Sequence, residues 1–402
     1  MTGSLAVDLV LGLVLVAYTW SGWRQGLVAA VLGLVGLVAG AFLAARVAPD
    51  LLEQHVGLDL ATPVGTLVVI GVVLLTATLG QWLMLLLAGR LRTLIHLSGF
   101  GLLDSLLGAV AVFVASTVVI WVIAGAARTS GPQPLRQAVA QSTVVQAVDT
   151  VMPPAAGHLV DEVTSALDRG GFPRVFEGLG PEPIRAVPAP DAALTKDPDI
   201  AAALASVVHV RAEAPRCRQT SVGSGWVAAD GLVVTNAHVV AGARRIRLSI
   251  KGTGPEVTAR VIAFDPDRDV AVLAARGLRA PTLPRGLQLE ADDSAALAGF
   301  PGDAGLWVGA ARVRAVLEAR GADIYGRPGA TRETYSLRAT VRQGASGGPV
   351  LDPDGRVVGM VFATSLDDPQ TGYAMTLGAL SPVLRGAALG DRTVSSGACV
   401  RD

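Results

Sequence analysis

The chain has 402 residues and a mean hydropathy of +0.50, which is too high for an ordinary soluble protein. Its 33 basic and 33 acidic side chains cancel, so the charge gives no support to a nucleic-acid-binding function. Hydrophobic residues make up 51% of the chain and are concentrated in residues 1–126, whereas the remainder has the composition of a soluble protein. This length predicts two or three domains.

Four segments are apolar over about the 20 residues that a helix needs to cross a bilayer, and they predict an α-helical membrane bundle of four spans. The segments are 4–20, 26–46, 62–88 and 102–126. The first is not interpreted as a secretory leader, because residues 1–23 contain no Lys or Arg.

The charges of the predicted loops orient this bundle. Arg24 follows the first span and Arg90 and Arg92 follow the third, whereas the loop after the second span is mainly acidic. Positively charged loops remain in the cytoplasm. An even number of spans then places both chain ends outside, so residues 127–402 are expected on the periplasmic side of a multi-pass inner-membrane protein.

The two cysteines, Cys217 and Cys399, do not have the spacing of metal ligands. In an oxidising compartment they would form a disulfide that closes a long loop, and in the cytosol they would be two inert buried thiols. The predicted location favours the disulfide. No metal and no cofactor are predicted.

Beyond the bundle, residues 127–200 are predicted to be an extracytoplasmic linker. It contains two segments with amphipathic helical spacing, 134–152 and 158–170, and then a proline-rich extended stretch. From residue 201 the chain changes to short β-branched strands separated by Gly, Asp and Pro, which indicates an all-β barrel or sandwich over 201–402.

Three segments of the β region contain residue types that suit nucleophilic catalysis. Ser346 lies in "QGASGGPV", which by itself is equally typical of a tight turn. His238 lies in "TNAHVV" just after a predicted strand, and Asp269 immediately precedes "VAVL". The order His, Asp, Ser differs from that of subtilisin-type proteases and of α/β-hydrolases.

These three residues predict a catalytic triad. Ser346 would be the nucleophile, His238 would accept and return its proton, and Asp269 would orient the ring and stabilise the imidazolium. The backbone N–H groups of Gly344 and Ser346 would form the oxyanion hole, and a glycine at 344 lets that turn form.

At this point a resemblance to known families is clear. The segments "TNAHVV", "DVAVL" and "GASGGPV", with the "GSGWV" opening, resemble the signature segments of trypsin-like serine proteases, particularly bacterial HtrA-type enzymes. The resemblance implies a chymotrypsin-like fold of two β-barrels.

Residues 1–126 resemble the CvpA (colicin V production) family in their length, their glycine-rich second span and their "SGWRQG" loop. The combination is similar to the MarP-type membrane-anchored periplasmic proteases of mycobacteria, a family linked to acid resistance.

The resemblance also implies where the substrate side chain would bind. The pocket would be walled by three segments without an acidic residue, so we expect a small or medium apolar side chain before the scissile bond. The implied wall residues are Thr340, Val341, Arg342, Gln343, Phe362, Ala363, Thr364, Gly372, Tyr373 and Ala374.

About fifty residues follow Ser346, too few for the rest of a barrel and a PDZ domain of about 100 residues, so no PDZ domain is expected.

The leading hypothesis is an endopeptidase that is tethered to the bilayer and cleaves proteins of the cell envelope. Self-cleavage in cis or in trans is a further hypothesis, and residues 127–200 are the candidate segment for the cut. One alternative is a catalytically idle protease fold that serves as a sensing module. Another is a membrane scaffold or transporter with an accessory protease. A histidine base must be neutral, and an unperturbed imidazole has a pKa of about 6.5. Cleavage in acid would therefore require a lowered pKa of His238, or acid would have to act on self-cleavage or on loop order.

Overall fold

The structure is a computed structural model, and it divides the chain into two compact units. The first comprises Met1–Ile123 and Ser142–Val148, and the second comprises Ala124–Gln141 and Asp149–Asp402. The residues that the structure describes are 2–51, 72, 75–89, 101–130, 132–152, 175–250, 252, 254–302, 305–388 and 392–400.

The first unit contains long apolar helices. Helix α1 (Thr2–Leu51) is broken at Gly26, whose backbone is not helical (φ 79°, ψ 166°). Helix α2 is Leu75–Gly89 and helix α3 is Gly101–Ser130. Among the described residues, two stretches are long and apolar enough to cross a membrane, Gly3–Ala44 and Gly101–Arg128. The first and second predicted spans both lie in α1 and the fourth lies in α3, whereas much of the third lies outside the described residues.

Glycines allow these helices to approach closely. A Cβ atom added at Gly36 would lie 2.3 Å from the carbonyl oxygen of Gly80 in α2, and one added at Gly40 would lie 2.3 Å from that of Thr76. On the other arm of α1, a Cβ atom at Gly22 would lie 2.6 Å from the carbonyl oxygen of Gly108 in α3. Small residues therefore form the helix contacts, as is usual in membrane bundles.

The short helices that follow match the predicted amphipathic segment 134–152. They are α4 (Gln133–Ala140) and α5 (Thr143–Val151). The Asp8 carboxylate accepts hydrogen bonds from the Ser142 hydroxyl at 2.5 Å and the Val144 N–H at 3.1 Å. Asp8 therefore satisfies free donors of the first turn of α5, which otherwise lack partners. The other predicted helical segment, 158–170, lies outside the described residues.

The second unit is built on two closed antiparallel β-barrels of six strands each. The first barrel consists of β1 (Val207–Ala214), β2 (Gln219–Ala229), β3 (Leu232–Thr235), β4 (Arg245–Ile250), β5 (Val257–Asp265) and β6 (Val270–Ala274). The second consists of β7 (Ser294–Gly299), β8 (Trp307–Ala322), β9 (Pro328–Arg338), β10 (Pro349–Leu351), β11 (Val357–Thr364) and β12 (Thr371–Thr376). The strand order of the first barrel is β1-β2-β3-β6-β5-β4, and that of the second is β10-β11-β12-β9-β8-β7.

Each barrel has its own hydrophobic interior, and a third cluster contains residues of both barrels. Leu248 and Leu273 are fully buried inside the first barrel, and Leu297 and Leu337 inside the second. The shared cluster includes Trp226 and other large side chains of both barrels. It also includes side chains from α6 (Pro198–Ala203) and α8 (Leu377–Ala388). This packing sets the two barrels side by side and brings their connecting loops together.

Candidate active site

The predicted base and its carboxylate partner are in direct contact in the first barrel. His238 lies in α7, a single short turn of helix (Ala237–Val240) that follows β3, at the place after a strand where the sequence predicted it. Its ring Nδ1 is 2.7 Å from Asp269 Oδ2, and its backbone N–H donates to Asp269 Oδ1 at 2.9 Å. The carboxylate therefore fixes both the ring and the backbone of the histidine.

Asp269 itself is held in an unusual conformation. It lies between β5 and β6 with a φ of 57°, a left-handed value that Asp tolerates better than most residues. Its side chain is fully buried, and its carbonyl oxygen accepts a hydrogen bond from Asn236 Nδ2 at 2.8 Å. Such backbone outliers persist where the surrounding contacts enforce them, often at functional sites.

Ser346 lies in the turn before β10, and glycines determine the shape of this turn. Gly344 has a φ of 94°, and a Cβ atom there would lie 2.4 Å from the carbonyl oxygen of Phe300. Gly347 has a φ of 83°, and its Cβ atom would lie 2.1 Å from the carbonyl oxygen of Ser224. Neither position has room for a side chain, so the glycines are required by the packing as well as by the backbone angles.

Ser224, in the "GSGWV" segment of β2, connects the two barrels beneath this turn. Its hydroxyl donates to the carbonyl oxygen of Gly344 at 2.7 Å and accepts from the backbone N–H of Phe300 at 2.8 Å. Its own N–H donates to the carbonyl oxygen of Ser346 at 2.7 Å. This segment entered the predictions only through the resemblance, and Ser224 was not predicted to contact the turn that contains Ser346.

A cavity of about 290 Å³ brings the predicted residues together: His238, Gly344 and Ser346 all line it. Within the described part of the chain, Ser346 Oγ makes no hydrogen bond to the imidazole, a contact that is often long in free enzymes and shortens with substrate. In the same part, the N–H groups of Gly344 and Ser346 donate to no protein acceptor. The residues that line the cavity therefore include a serine, a histidine and a glycine, and in the described part of the chain the backbone N–H groups of the serine and the glycine have no protein acceptor.

The predicted substrate-pocket residues lie in two environments. Among them, Gln343 lines the cavity that contains His238 and Ser346. In β11 and β12, Ala363 pairs with Tyr373 and Thr364 pairs with Gly372. Phe362, Ala363, Tyr373 and Ala374 are fully buried, backbone included, so none of the four is exposed at the surface of the free protein.

The loop 365–370 between these strands is held by buried charges that the sequence analysis missed. Arg128, at the end of α3, forms a buried ion pair with Asp367, and its Nη2 donates to the carbonyl oxygen of Gly180 at 2.8 Å. The Asp367 carboxylate also accepts from the Glu182 N–H at 2.7 Å. Glu182 was assigned only to the proline-rich linker, and its distance in sequence from residue 367 gave no signal of the contact.

Glu182 is a partly buried carboxylate beneath the predicted pocket. Burial raises its pKa, although hydrogen bonds from the Ser365 hydroxyl, the Leu366 N–H and the Tyr373 hydroxyl act in the opposite direction. Burial and the adjacent Glu182 likewise raise the pKa of Tyr373 well above its usual range. The tyrosine therefore remains a neutral donor to the carboxylate, at 2.9 Å.

Cys217 and Cys399 form a disulfide between residues 182 positions apart in the sequence. The bond attaches the segment 392–400 to the first barrel. Val400, the residue after the second cysteine, lines the same cavity as His238 and Ser346. No sequence pattern indicated that this distant residue would reach the site.

Comparison with known proteins assigns the chain to a family. The family described as "Trypsin-like peptidase domain" matches residues 223–360, and "Colicin V production protein" matches residues 7–153. The chain is 33% identical to the serine protease Rv3671c of Mycobacterium tuberculosis H37Rv over 405 aligned residues, which cover 100% of both chains. The chain belongs to this family of serine proteases. The predictions of the family and of a serine endopeptidase are thereby confirmed.

Further relatives agree with the two-barrel fold of this serine protease. The crystal structure of the active form of the M. tuberculosis Rv3671c protease has a TM-score of 0.53 and 37% identity, covering 56% of this chain and 100% of that one. The mitochondrial serine protease HTRA2 of Bos taurus is 36% identical over 142 residues, which are 35% of this chain and 31% of the relative. The β unit is thus a chymotrypsin-like protease domain acting on peptide or protein substrates, and the colicin V production match together with the apolar helices indicates a membrane protein.

Proposed function

We propose that this serine protease is tethered to the inner membrane and hydrolyses proteins of the cell envelope with His238, Asp269 and Ser346. The observation that carries the proposal is the 2.7 Å contact between His238 Nδ1 and Asp269, beside a cavity that His238 shares with Ser346. With Nδ1–H directed to the carboxylate, the other ring nitrogen is left as the base.

In the proposed reaction, Ser346 Oγ attacks the scissile carbonyl carbon while His238 accepts the hydroxyl proton. The carbonyl oxygen becomes an oxyanion and accepts hydrogen bonds from the N–H groups of Gly344 and Ser346. His238 then gives its proton to the leaving amine as the C–N bond breaks, which leaves an acyl ester on Ser346. Water, deprotonated by His238, hydrolyses this ester and restores the serine.

We propose that the residue before the scissile bond has a small or medium apolar side chain. A Cβ atom at Gly372 would lie only 2.3 Å from Val341 Cγ2, so the valine fills the space beside this strand and limits the depth of the pocket. Arg342 stacks over the ring of Trp307, with Cζ 5.5 Å from the ring centroid. A peptide library would test this specificity, and a preference for Lys or Arg at that position would contradict it.

The membrane arrangement belongs to the same proposal. Gly3–Ala44 has 42 residues, about 60 Å of helix, whereas the hydrocarbon core is about 30 Å thick. The break at Gly26 therefore supports two spans within α1, followed by spans that contain α2 and α3. We place four spans within 1–126, a linker at 127–200 and the protease at 201–402, outside the cytoplasm. The Cys217–Cys399 disulfide supports a location of the protease outside the cytoplasm, because disulfides persist in oxidising compartments.

A role in acid stress, substrates in the envelope and self-cleavage within 127–200 complete the proposal. The acid role rests on the family resemblance alone, and the envelope substrates rest on the predicted side of the protease. A pH–rate profile would test the first. Loss of activity on acidification, together with unchanged self-cleavage, would argue against an acid role. Peptide mapping of the purified full-length protein, wild type against Ser346→Ala, would locate any cut that the enzyme makes in itself.

The decisive experiment is labelling of the detergent-solubilised full chain with a fluorophosphonate probe, which reacts with an activated serine. We expect wild type and Ser395→Ala, a change at an exposed serine, to be labelled and Ser346→Ala to remain unlabelled. Peptide hydrolysis should fall by at least about 10⁴-fold in Ser346→Ala. Labelling that survives in Ser346→Ala would assign the nucleophile elsewhere, and an unlabelled wild type would support the idle protease fold.

A further inference from the structure

The active-site cavity lies on the side of the site from which the leaving amine departs. Besides His238 and Ser346, its lining includes Val239, next to the imidazole, and Thr220, Ser221 and Val222 of β2. Of the predicted pocket residues, Gln343 lines it, next to Gly344, and those in β11 and β12 do not. Because His238 must protonate the leaving amine, a substrate extends past the imidazole with the residues that follow the scissile bond.

The segment 392–400 is attached to the first barrel at successive points before it reaches this cavity. The Val394 N–H donates to the carbonyl oxygen of Val261 at 2.9 Å, and the Ser396 carbonyl oxygen accepts from the Gly242 N–H at 3.0 Å. The disulfide then joins Cys399 to Cys217, two residues before β2 begins. Val400 directly follows this bond, so a covalent link to the adjacent residue fixes its position beside β2.

The lining of the cavity defines the chemistry that it accepts. Val222, Val239 and Val400 provide an apolar surface, and Thr220, Ser221 and Gln343 add uncharged polar groups. Among the described lining residues, His238 is the only titratable side chain. A charged side chain placed there would lose its hydration without gaining an ion-pair partner, which is unfavourable. The cavity volume of about 290 Å³ lies near the lower limit of small-ligand pockets, about 300 Å³, and it includes the space beside Ser346 and Gly344 as well as the subsite.

We propose that Val400 is a specificity-determining residue of this protease and forms one wall of the subsite for the residue after the scissile bond. The subsite selects an uncharged, small or medium apolar side chain at that position. This inference rests on the proposed function, because it assumes that Ser346 and His238 carry out the cleavage. It adds a subsite whose outer wall comes from the carboxyl-terminal segment and not from either barrel.

Acyl transfer measures this subsite separately from the rest of the site. The full-length protein in detergent is acylated with a peptide ester, and an amino-acid amide then competes with water for the acyl-enzyme. The amine attacks the ester carbonyl and gives a proton to His238. A new amide bond forms, and His238 passes the proton to Ser346 Oγ as the ester bond breaks. The ratio of aminolysis to hydrolysis reports how well each amide occupies the subsite, and glycine, alanine, leucine, phenylalanine and aspartate amides cover size and charge.

We expect alanine and leucine amides to be the best nucleophiles for wild type and aspartate amide to be poor. Val400→Trp, which narrows the subsite, should lower the ratio for leucine amide about tenfold and that for glycine amide much less. Val400→Ala, which widens it, should shift the preference towards phenylalanine amide. Val394→Ala changes a valine of the same segment that lies outside the cavity, and it should leave all ratios unchanged.

Two controls make the result decisive. Intact mass without reductant must show the disulfide in every variant, and fluorophosphonate labelling must proceed at the wild-type rate within about twofold. Unchanged ratios in both Val400 variants, or an equal change in Val394→Ala, would overturn the inference while the proposed function stands. A wild type that is not labelled would instead overturn the proposed function and the inference with it.

Discussion

The two barrels hold their parts of the proposed active site by different means. In the first barrel, His238 and Asp269 are positioned by side-chain contacts, with the carboxylate bonded to both the ring and the backbone of the histidine. In the second, the position of Ser346 depends on backbone conformation, through Gly344 and Gly347 with positive φ values and no room for a Cβ atom. Catalytic activity should therefore depend on the identity of a few polar atoms in the first barrel and on the absence of a methyl group at two glycines in the second.

The largest expected effect comes from changing one atom in the first barrel. Asp269→Asn keeps the size of the side chain but presents an N–H where the ring needs an acceptor, so the histidine takes the wrong tautomer. We expect kcat to fall by about 10⁴-fold on a peptide substrate. Asp265→Asn, at a nearby carboxylate that bonds Arg268, is the matched control and should retain activity. A loss of less than about tenfold in Asp269→Asn would show that the carboxylate is not required.

A methyl group added in the second barrel should have the next largest effect. Gly344→Ala places a Cβ atom against the carbonyl oxygen of Phe300 and moves the N–H donor of residue 344. We expect kcat to fall by about 10²–10³-fold, the usual consequence of losing one oxyanion donor, with little change in KM. Gly386→Ala in α8 has open space around it and serves as the control. Equal kinetics in the two variants would argue that residue 344 does not contribute to the oxyanion site.

The sequence predicted the parts of the fold and site whose signals are local. β-branched segments and turn residues indicated β1–β6 and β10–β12, and the spacing of the motifs indicated His238, Asp269 and Ser346. The alanine-rich β7 "SAALAG" was not identified, because alanine has a low strand propensity and the strand depends on its barrel neighbours. The contacts of Ser224, Glu182 and Val400 join distant parts of the chain, so only the folded structure could reveal them.

The barrels also differ in their ion pairs. Those of the first barrel are partly exposed, such as Arg245 with Glu213, whose side chains are 61% and 22% exposed. The loop 365–370 of the second barrel is held by Arg128 and Asp367, whose side chains are 4% and 12% exposed. A buried pair that loses one partner leaves an uncompensated charge, whereas an exposed pair contributes little.

This difference predicts unequal effects on stability. Arg128→Met should lower the free energy of unfolding of the protease domain by about 3–5 kcal/mol. Arg245→Met should lower it by no more than about 1 kcal/mol. Pulse proteolysis of the full chain across a urea series measures both variants against wild type. Similar midpoints for the two variants would show that the buried pair does not stabilise the loop.

The smallest expected effect concerns pH. Since burial raises the pKa of Glu182 in the folded state, the folded protein favours its protonated form. The stability gained from this group is full below its unfolded-state pKa and is lost as pH rises through the raised folded-state value. Wild type should therefore lose stability relative to Glu182→Gln as the pH rises above the ordinary glutamate pKa of about 4.3. Urea midpoints of both proteins at several pH values test the sign, and a relative gain for wild type would contradict it.

The Cys217–Cys399 disulfide encloses all three proposed catalytic residues within one covalent ring of chain. A peptide bond cut between those cysteines opens the ring without releasing a fragment, so the nicked protein migrates as a single species until a reductant separates its pieces. A cut within 127–200, by contrast, separates the membrane helices from a piece that retains the whole ring. Electrophoresis with and without reductant therefore distinguishes damage inside the protease domain from its release.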